Sequence, residues 1–370
     1  EVYPLKMKFT ANKEQIINEL QSLASVADKK QTLPILANIL IKCSEDEVNI
    51  LSTDLQVELE IKLPGTKIER EGEITIPAKK IADIVRELPD GEVGFEHENE
   101  STKLTVFSSA GKYSFSTISA DDFPEFDSVK SENIHSINSN LLLKLLKKTS
   151  FAMASNNWRH YLNGCYMEKS LNTLSITATD SQKIAQYKCE FSGETDFAGI
   201  IPRKSAVELM KILPNEDIEV QFYINDNNIA FMSKNFTFKS KLIDGNYPDL
   251  TPHLSGESGP SIKTDRKNLI DTLTRTSVFA NTQFNAVKLT TLDGKLEVSA
   301  YNPGQESAEE KLDFEGNLTA PFDLAFNANL LKELLLTTDD ENVTISKCGQ
   351  GVMLLTSDPN QTTFLLPLLI

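Results

Sequence analysis

Paired basic residues are the side chains in this sequence best suited to binding a charged partner. Lys79-Lys80, Arg203-Lys204 and Arg266-Lys267 each place two cations at adjacent positions. Lysine and arginine bind phosphate groups without reading bases, because contacts to a nucleic-acid backbone carry no sequence information. The pairs therefore predict sequence-independent contact with a polyanion. The alternative is an ordinary solvated lysine face on each helix.

Residues that could catalyse a reaction are present, but their spacing does not suit catalysis. The candidates are the histidines His97, His135, His160 and His253, the S-x-x-K sequence at Ser109–Lys112, and the paired acids Asp121-Asp122 and Asp339-Asp340. The histidines lack metal-ligand spacing, and the S-x-x-K sequence lacks the S-D-N and K-T-G companions of a penicillin-binding site. Adjacent acids are typical of turns and do not face each other across a substrate. No G-x-x-x-x-G-K-[ST] sequence occurs. We expect no enzyme activity, no cofactor and no metal.

Two of the basic pairs lie in a segment that occurs three times. ITIPAKKIADIVRELP begins at residue 74, GIIPRKSAVELMKILP at 199 and LAFNANLLKELLLTTD at 324, so successive copies are 125 residues apart. In the first copy Ile81, Ile84, Val85 and Leu88 have the spacing of one helix face. Each copy predicts a helix of about three turns, preceded by a second amphipathic helix and accompanied by alternating stretches typical of antiparallel strands.

The repeated unit is long enough to be a domain, which gives three domains of the α+β class. The linkers SVKSEN and SGESGP place the boundaries at 7–130, 131–258 and 259–370. The first six residues, EVYPLK, continue no pattern and are expected to be an artificial addition.

Charge is distributed unevenly between the predicted helices and the rest of the chain. The formal net charge is −16, yet the six helices hold 14 of the 37 basic and 8 of the 53 acidic residues. Several of the cations lie in first turns, where the helix dipole disfavours them by about 0.3–1 kcal/mol. A role other than helix stability is therefore indicated, and an acidic protein with basic helices remains able to meet phosphates.

The cysteines and the apolar runs indicate the cellular compartment. Cys43, Cys165, Cys189 and Cys348 are far apart in sequence and predict reduced thiols in the cytoplasm. No apolar run approaches the ~18 residues of a membrane span, and no signal peptide is evident. We expect a protein that is neither secreted nor bound to a membrane.

The sequence resembles the bacterial β sliding clamps, the processivity subunits of replicative DNA polymerases. The resemblance runs from Met7 to the terminal FLLPLLI. The motifs that carry it are TLPILANILI, TDLQVELE, IPAKK, DDFPEF, RHYLNG, ATDSQKIA, IPRKSAVELM, SKLIDGNYPDL, YNPGQESAEE and FNANLLKEL. It implies three tandem copies of the DNA-clamp domain, with antiparallel sheets outside and two helices per domain facing a central channel. Two copies would join head to tail into a ring around double-stranded DNA. The alternative is a peptide-binding adaptor of the same fold that does not encircle DNA.

The resemblance also implies partners and sites. Partners would be the polymerase catalytic subunit, the clamp loader, and other repair and replication proteins that carry a short clamp-binding peptide. The peptide pocket would comprise Tyr161, Leu162, Thr179, Lys183, Ile184, Pro248, Asn327, Leu330, Gly351, Phe364, Leu366, Pro367 and Leu368. For the terminal residues, a buried last strand is the alternative reading. Lys183, His253 and Leu330 depart from the usual family residues, which leaves peptide preference open.

Residues expected to face DNA come from the basic helices and from matched loops. They are Lys30, Lys79, Lys80, Lys144, Lys147, Lys148, Asn156, Arg159, His160, Tyr161, Arg203, Lys204, Arg266 and Lys267. The seam between two copies would pair Tyr113 and Phe115 with Val278 and Phe279. Tyr113 and Phe115 resemble an edge strand, which is best protected by pairing with another subunit, although ordinary core residues are the alternative.

Overall fold

In the computed structural model, the segments with helical apolar spacing form helices and the alternating segments form strands. The structure describes residues 7–27, 33–98, 102–127, 133–193, 195–255, 258–316, 318 and 320–369. These residues form two compact units. Unit 1 comprises Glu1–Leu143 and Lys204–Leu242, and unit 2 comprises Lys144–Arg203 and Ile243–Ile370. The first six residues lie outside the described part of the chain. The three predicted domain boundaries stay a prediction.

Unit 1 contains two antiparallel sheets. The strands of its five-stranded sheet are β1 (Met7–Asn12), β5 (Lys67–Arg70), β7 (Glu92–His97), β8 (Lys103–Ser108) and β9 (Gly111–Ser116). The strands of its eight-stranded sheet are β2 (Asn38–Cys43), β3 (Val48–Thr53), β4 (Val57–Lys62), β6 (Gly72–Pro77), β10 (Ile134–Asn138), β15 (Glu219–Ile224), β16 (Asn228–Met232) and β17 (Phe236–Lys241). The strand orders are β5-β1-β7-β8-β9 and β10-β15-β16-β17-β4-β3-β2-β6, so β9 is an edge strand.

Unit 2 contains an eight-stranded and a four-stranded antiparallel sheet. The strands of the larger sheet are β11 (Gly164–Ser170), β12 (Thr173–Thr179), β13 (Lys183–Glu190), β14 (Phe197–Pro202), β18 (Ser258–Asp265), β23 (Asn342–Cys348), β24 (Gly351–Leu355) and β25 (Gln361–Leu365). The strands of the smaller sheet are β19 (Ala286–Leu292), β20 (Lys295–Tyr301), β21 (Ser307–Leu312) and β22 (Asp323–Asn327). The orders are β14-β11-β12-β13-β25-β24-β23-β18 and β21-β20-β19-β22.

All six predicted helices are present, together with one short additional helix. They are α1 (Lys13–Val26), α2 (Ala78–Glu87), α3 (Ser139–Thr149), α4 (Arg203–Ile212), α6 (Arg266–Thr276) and α7 (Ala328–Leu335), and α5 (Thr251–Leu254) is the addition. Ile81 and Val85 of α2 are fully buried, as is Leu335 of α7, whereas Ile84 of α2 is only partly buried. The spacing of apolar residues therefore decided which face of each helix packs against the sheets.

The T-D sequence that recurs in the chain forms the same turn in both units. The Thr53 hydroxyl donates to the carbonyl of Val57 at 2.7 Å, and the Thr179 hydroxyl donates to the carbonyl of Lys183 at 2.7 Å. The aspartate that follows each threonine accepts backbone N–H groups of the turn, which is the usual role of a short carboxylate in a turn. The motif therefore sets where β4 and β13 begin.

The four cysteines are free thiols, and three of them are poorly ionised because of burial. Burial raises the pKa of Cys165 to about 12 and the pKa of Cys43 and Cys189 to about 11. Because the thiolate is the reactive form, we expect a disulfide reagent at pH 8 to label Cys165 in the folded protein far more slowly than in urea. Mass spectrometry of the labelled cysteines would measure this. Equal rates in the folded and unfolded protein would contradict the burial described here.

Within the described residues, none of the helices has the length and apolar character needed to cross a membrane.

Candidate functional site

A groove of about 210 Å³ lies on unit 2, and its deepest residues are apolar. We call it the unit-2 groove. Its lining residues are Arg159, Tyr161, Leu162, Thr179, Ser181, Gln182, Ile184, Pro248, Leu250, His253, Phe364 and Leu366. Leu162, Ile184 and Phe364 are each at most 5% exposed. Among these lining residues there is no carboxylate, although the chain holds 53 acidic residues.

Backbone pairing of β13 with β25 forms the base of the groove. Ile184 and Phe364 are direct partners in the antiparallel register, so their side chains lie side by side on one face. Beyond β25, the Leu366 N–H donates to the Gln182 carbonyl at 2.8 Å, which holds the chain's end against the turn. The tail therefore extends the sheet by one more bond and carries Leu366 into the groove.

Arg159 lines the groove and contacts Trp158, an exposed indole outside the lining. The Arg159 guanidinium donates to the Ser181 hydroxyl and lies 5.5 Å from the ring centre of Trp158, a cation–π contact. Trp158 is 82% exposed. Tyr247, which precedes the lining residue Pro248, stacks on Tyr166 with ring centres 5.0 Å apart, and burial raises the pKa of Tyr247, which keeps its phenol neutral. The groove thus suits an apolar segment beside a single permanent cation.

The structure brings together part of the predicted peptide pocket. Seven predicted residues line the unit-2 groove, namely Tyr161, Leu162, Thr179, Ile184, Pro248, Phe364 and Leu366. Six do not, namely Lys183, Asn327, Leu330, Gly351, Pro367 and Leu368. Sequence reasoning left Ser181, Gln182 and Leu250 out of the pocket set, named His253 only as a departure from the usual family residues, and assigned Arg159 to DNA instead. Leu250 had a usable signal, because Pro248 and Leu250 repeat the spacing of Pro124 and Phe126. The assignment of these residues to a peptide site stays a prediction.

Residues outside the lining have structural partners of their own. Lys183 is buried, forms an ion pair with Glu333 and lies over the ring of Phe151. Asn327 caps α7, because its side chain accepts the N–H groups of the first turn. Gly351 lies behind Phe364, where an added Cβ would be 2.4 Å from the ring. These positions support the groove without lining it.

Many of the cations expected to face DNA bond to the protein itself. In unit 2, Lys144 forms an ion pair with Asp358 at 2.7 Å, Lys148 donates to the Thr337 carbonyl, and Arg203 donates to the Met153 carbonyl at 2.7 Å. Arg266 donates to the Asp340 carbonyl at 2.8 Å. In unit 1, Lys204 pairs with Asp54 at 2.6 Å. Each of these bonds restricts the side chain that makes it.

Four of the predicted cations have no such bond. Lys79 and Lys80 on α2, Lys147 on α3 and Lys267 on α6 are exposed, and within the described ranges none of them has a hydrogen bond or ion pair. The segment that follows α3 contains Asn156 and His160, which are also exposed. Tyr161, in the same segment, lines the unit-2 groove. Lys30 lies outside the described residues. Orientation toward DNA stays a prediction for the whole set.

The residues expected at the seam differ in exposure. Val278 is 77% exposed and Phe279 is 38% exposed, both on a 3₁₀ turn in unit 2. In unit 1, Tyr113 is half-buried and Phe115 is buried, both on the edge strand β9. Val278 is therefore an apolar side chain that its own chain leaves uncovered.

The candidate catalytic residues occupy structural positions. Ser109 lies in the turn that joins β8 to β9, and Asp121 and Asp122 lie in a short 3₁₀ helix. The carboxylate of Asp340 accepts bonds from the hydroxyl and N–H of Ser357, which lower the pKa of Asp340. Across the described ranges, histidine, cysteine, aspartate and glutamate form no cluster that could hold a metal ion.

Comparison with known families gives a match to each third of the chain. The model described as DNA polymerase III beta subunit, N-terminal domain, matches residues 7–127. The model of the central domain matches residues 136–249, and the model of the C-terminal domain matches residues 256–366.

Individual proteins and solved structures agree with these matches. The chain is 32% identical to the beta sliding clamp of Pseudomonas putida over 356 residues, which covers 94% of this chain and 95% of that protein. It is 34% identical to the beta sliding clamp of Vibrio cholerae over 345 residues, covering 92% and 93%. The crystal structure of the DNA polymerase III subunit beta from Pseudomonas aeruginosa has a TM-score of 0.90 at 31% identity, covering 98% of this chain and 100% of that one. A DNA polymerase sliding clamp from Bacillus subtilis has a TM-score of 0.89 at 26% identity, covering 98% and 99%.

Proposed function

The chain belongs to the DNA polymerase III beta subunit family and is a non-catalytic DNA sliding clamp, and we propose that two copies close head to tail into a ring around duplex DNA. The match of three consecutive clamp domains over nearly the whole chain carries this conclusion and confirms both the family resemblance and the α+β clamp fold. The family implies DNA, a second copy of the chain and a DNA polymerase as partners.

The unbonded lysines are the groups that we propose to contact DNA. Lys79, Lys80, Lys147 and Lys267 are exposed and form no ion pair with any residue that the structure describes. A few cations that bind phosphate alone give weak contacts that are equal for every sequence, because the charge of the duplex backbone repeats along its length. A protein of net charge −16 can then be held on DNA mainly by encirclement and still slide.

The unit-2 groove is the proposed binding site for partner peptides. Its apolar base of Leu162, Ile184 and Phe364 is almost fully shielded from solvent. In a pocket of this kind, a few apolar anchors supply most of the binding free energy. Its lining contains no carboxylate, so an acidic peptide meets no like charge among the lining residues. We propose that the polymerase catalytic subunit, the clamp loader, and other repair and replication proteins insert a short linear peptide here, in the cytoplasm.

The ring seam gives a test by molecular mass. Val278 is 77% exposed in the single chain, so we propose that a second copy covers it at the edge strand β9. Val278→Asp should convert a dimer to a monomer at micromolar concentration, because burying an unpaired carboxylate costs more than the contact contributes. Light scattering would measure the mass. Leu171→Asp, at a leucine that is 80% exposed on a hairpin of unit 2, is the matched control and should stay dimeric. A Val278→Asp protein of unchanged mass would remove Val278 from the seam.

Encirclement of DNA has a topological signature. After loading, the protein should remain on a nicked circular plasmid and should leave when the plasmid is cut to a linear form, because a ring slides off a free end. Gel filtration of labelled protein with each plasmid measures retention. Loss from both plasmids at the same rate would favour the adaptor that binds peptides without encircling DNA.

A further inference from the structure

The two units contain the same strand frame around different side chains. In unit 1, β4 follows the T-D turn and pairs with β17; in unit 2, β13 follows the T-D turn and pairs with β25. The Lys241 N–H donates to the Gln56 carbonyl at 2.9 Å, just as the Leu366 N–H donates to the Gln182 carbonyl at 2.8 Å. The match in register and in this closing bond makes the two frames equivalent, residue by residue.

Unit 1 also has a groove, which overlaps the corresponding place in part: Leu55, Pro124 and Phe126 line it where Ser181, Pro248 and Leu250 line the unit-2 groove. This unit-1 groove has a volume of about 440 Å³. It is lined by Leu55, Pro124, Glu125, Phe126, Asp127, Tyr223, Asn225, Asn228, Ile229, Ala230, Lys239 and Lys241. By register, Lys239 corresponds to Phe364 and Lys241 to Leu366, and by motif Phe126 corresponds to Leu250. The repeat thus supplies a second cavity of adequate size for an apolar peptide.

In unit 1, an ion pair takes the register position where unit 2 has two apolar side chains; its lysine, Lys239, lines the unit-1 groove, whereas Glu58 is outside the lining. Glu58 and Lys239 are register partners, and the Lys239 Nζ lies 2.9 Å from the Glu58 Oε1. Their side chains are 2% and 14% exposed, respectively. The equivalent register pair in unit 2 is Ile184 with Phe364. The Glu58 carboxylate also accepts the Phe126 N–H at 2.6 Å, and the Lys241 ammonium lies 5.7 Å from the Phe126 ring centre. Lys239 and Lys241 therefore line the unit-1 groove at the positions that Phe364 and Leu366 hold in unit 2.

An apolar anchor would gain little binding free energy in the unit-1 groove. It would remove the remaining water from the Lys239 ammonium without offering a hydrogen bond, and it would find no buried apolar surface at the position that Phe364 holds in unit 2. Specificity of this kind comes from charges that make the wrong contact costly as much as from the surfaces that make the right contact favourable.

We infer that the Glu58–Lys239 ion pair limits the chain to one apolar peptide site by closing the repeated groove of unit 1 to such ligands. The inference rests on the proposed function of the unit-2 groove. Because the same strand frame occurs in both units, each chain could in principle hold two peptides. The inference is that Glu58, Lys239 and Lys241 reduce this number to one.

The test is a transplant of the apolar base into unit 1. Glu58→Ile combined with Lys239→Phe and Lys241→Leu should raise the number of bound peptides per chain from one to two. The probe is a fluorescein-labelled peptide with leucine and phenylalanine anchors, titrated by anisotropy and calorimetry. Replacing a buried ion pair by apolar side chains of similar volume is often tolerated, so the variant is expected to fold. Glu58→Asp combined with Lys239→Arg is the matched control, because it keeps the pair and should keep one site.

A second background separates the new site from the old one. Leu366→Asp closes the unit-2 groove, and adding the three unit-1 substitutions to it should restore one site per chain. If the transplant does not fold, Glu58→Gln with Lys239→Met removes both charges with little change in volume and makes the same test. Two equal sites in the parent protein, or one site in a folded transplant, would overturn the inference alone. A parent protein that binds no peptide would overturn the proposed function and the inference together.

Discussion

Leu366→Asp should weaken peptide binding by at least about thirtyfold. Leu366 lines the unit-2 groove beside Phe364, and the substitution would place a carboxylate where an apolar anchor has to pack. Truncating a central anchor of an interface typically costs 2 kcal/mol or more, which corresponds to the expected factor. Titration of a labelled polymerase-derived peptide, followed by anisotropy, measures the change.

The neighbouring tail residue supplies the control. Leu369 is fully exposed, so Leu369→Asp adds the same charge nearby and should bind the peptide with unchanged affinity. Deleting residues 366–370 should abolish binding while the mass in solution stays that of the dimer, because the β13–β25 pairing ends at Leu365. Full affinity in the deletion variant would show that the groove is not where the peptide binds.

Lys147→Glu should impair loading onto DNA and reduce the salt dependence of binding. Lys147 is exposed on α3 and makes no bond in the described structure, so its ammonium is available to a phosphate. Each phosphate contact contributes about one unit to the slope of log affinity against log salt, and the slope should fall by about one per chain. Anisotropy with short duplexes of different sequence measures it. The loss should be equal for all of them, and a defect confined to one sequence would contradict a backbone contact.

Lys144 on the same helix is the matched comparison, because its charge is already used. Hydrogen bonds that the Lys144 ammonium donates to Asp358 and Tyr187 raise the pKa of Lys144. Burial alone would raise the pKa of Asp358, but its bonds to Lys144 and Tyr187 outweigh burial and lower it. Both charges are therefore present at neutral pH, and their contribution to stability is lost only as the pH falls through the lowered pKa of Asp358 or rises through that of Lys144. Lys144→Glu should lower the melting temperature at pH 7 and change the salt slope less than Lys147→Glu does.

The helices and their buried faces could be predicted because the information is local. The i, i+3, i+4 spacing around Ile81 and the repeat distance of 125 residues are sufficient to place α2, α4 and α7. The alternating stretch around Tyr113 likewise indicated a strand, and β9 is at the edge of its sheet.

Which of the lysines form ion pairs within the protein could not be predicted, because the partner of each lies far away in the sequence. Lys144 and Lys147 are three residues apart on one helix, yet only Lys144 meets Asp358, more than two hundred residues later. Lys183 is similar: the family resemblance implied a pocket residue, but Lys183 precedes Ile184 on β13 and therefore lies on the opposite face of the sheet, where it pairs with Glu333 on α7. Charge counting gives the number of lysines, and only the folded chain shows which of them remain available.

Gly351 lies behind the groove and has a consequence for how this surface can change over generations. A methyl group at this position would meet both the Phe364 ring and the Leu365 carbonyl, at 2.4 and 2.6 Å. Any larger residue would displace the Phe364 ring, which lines the unit-2 groove. On the proposed role of the unit-2 groove, Gly351 is a position where a small substitution would weaken peptide binding although Gly351 itself does not line the groove.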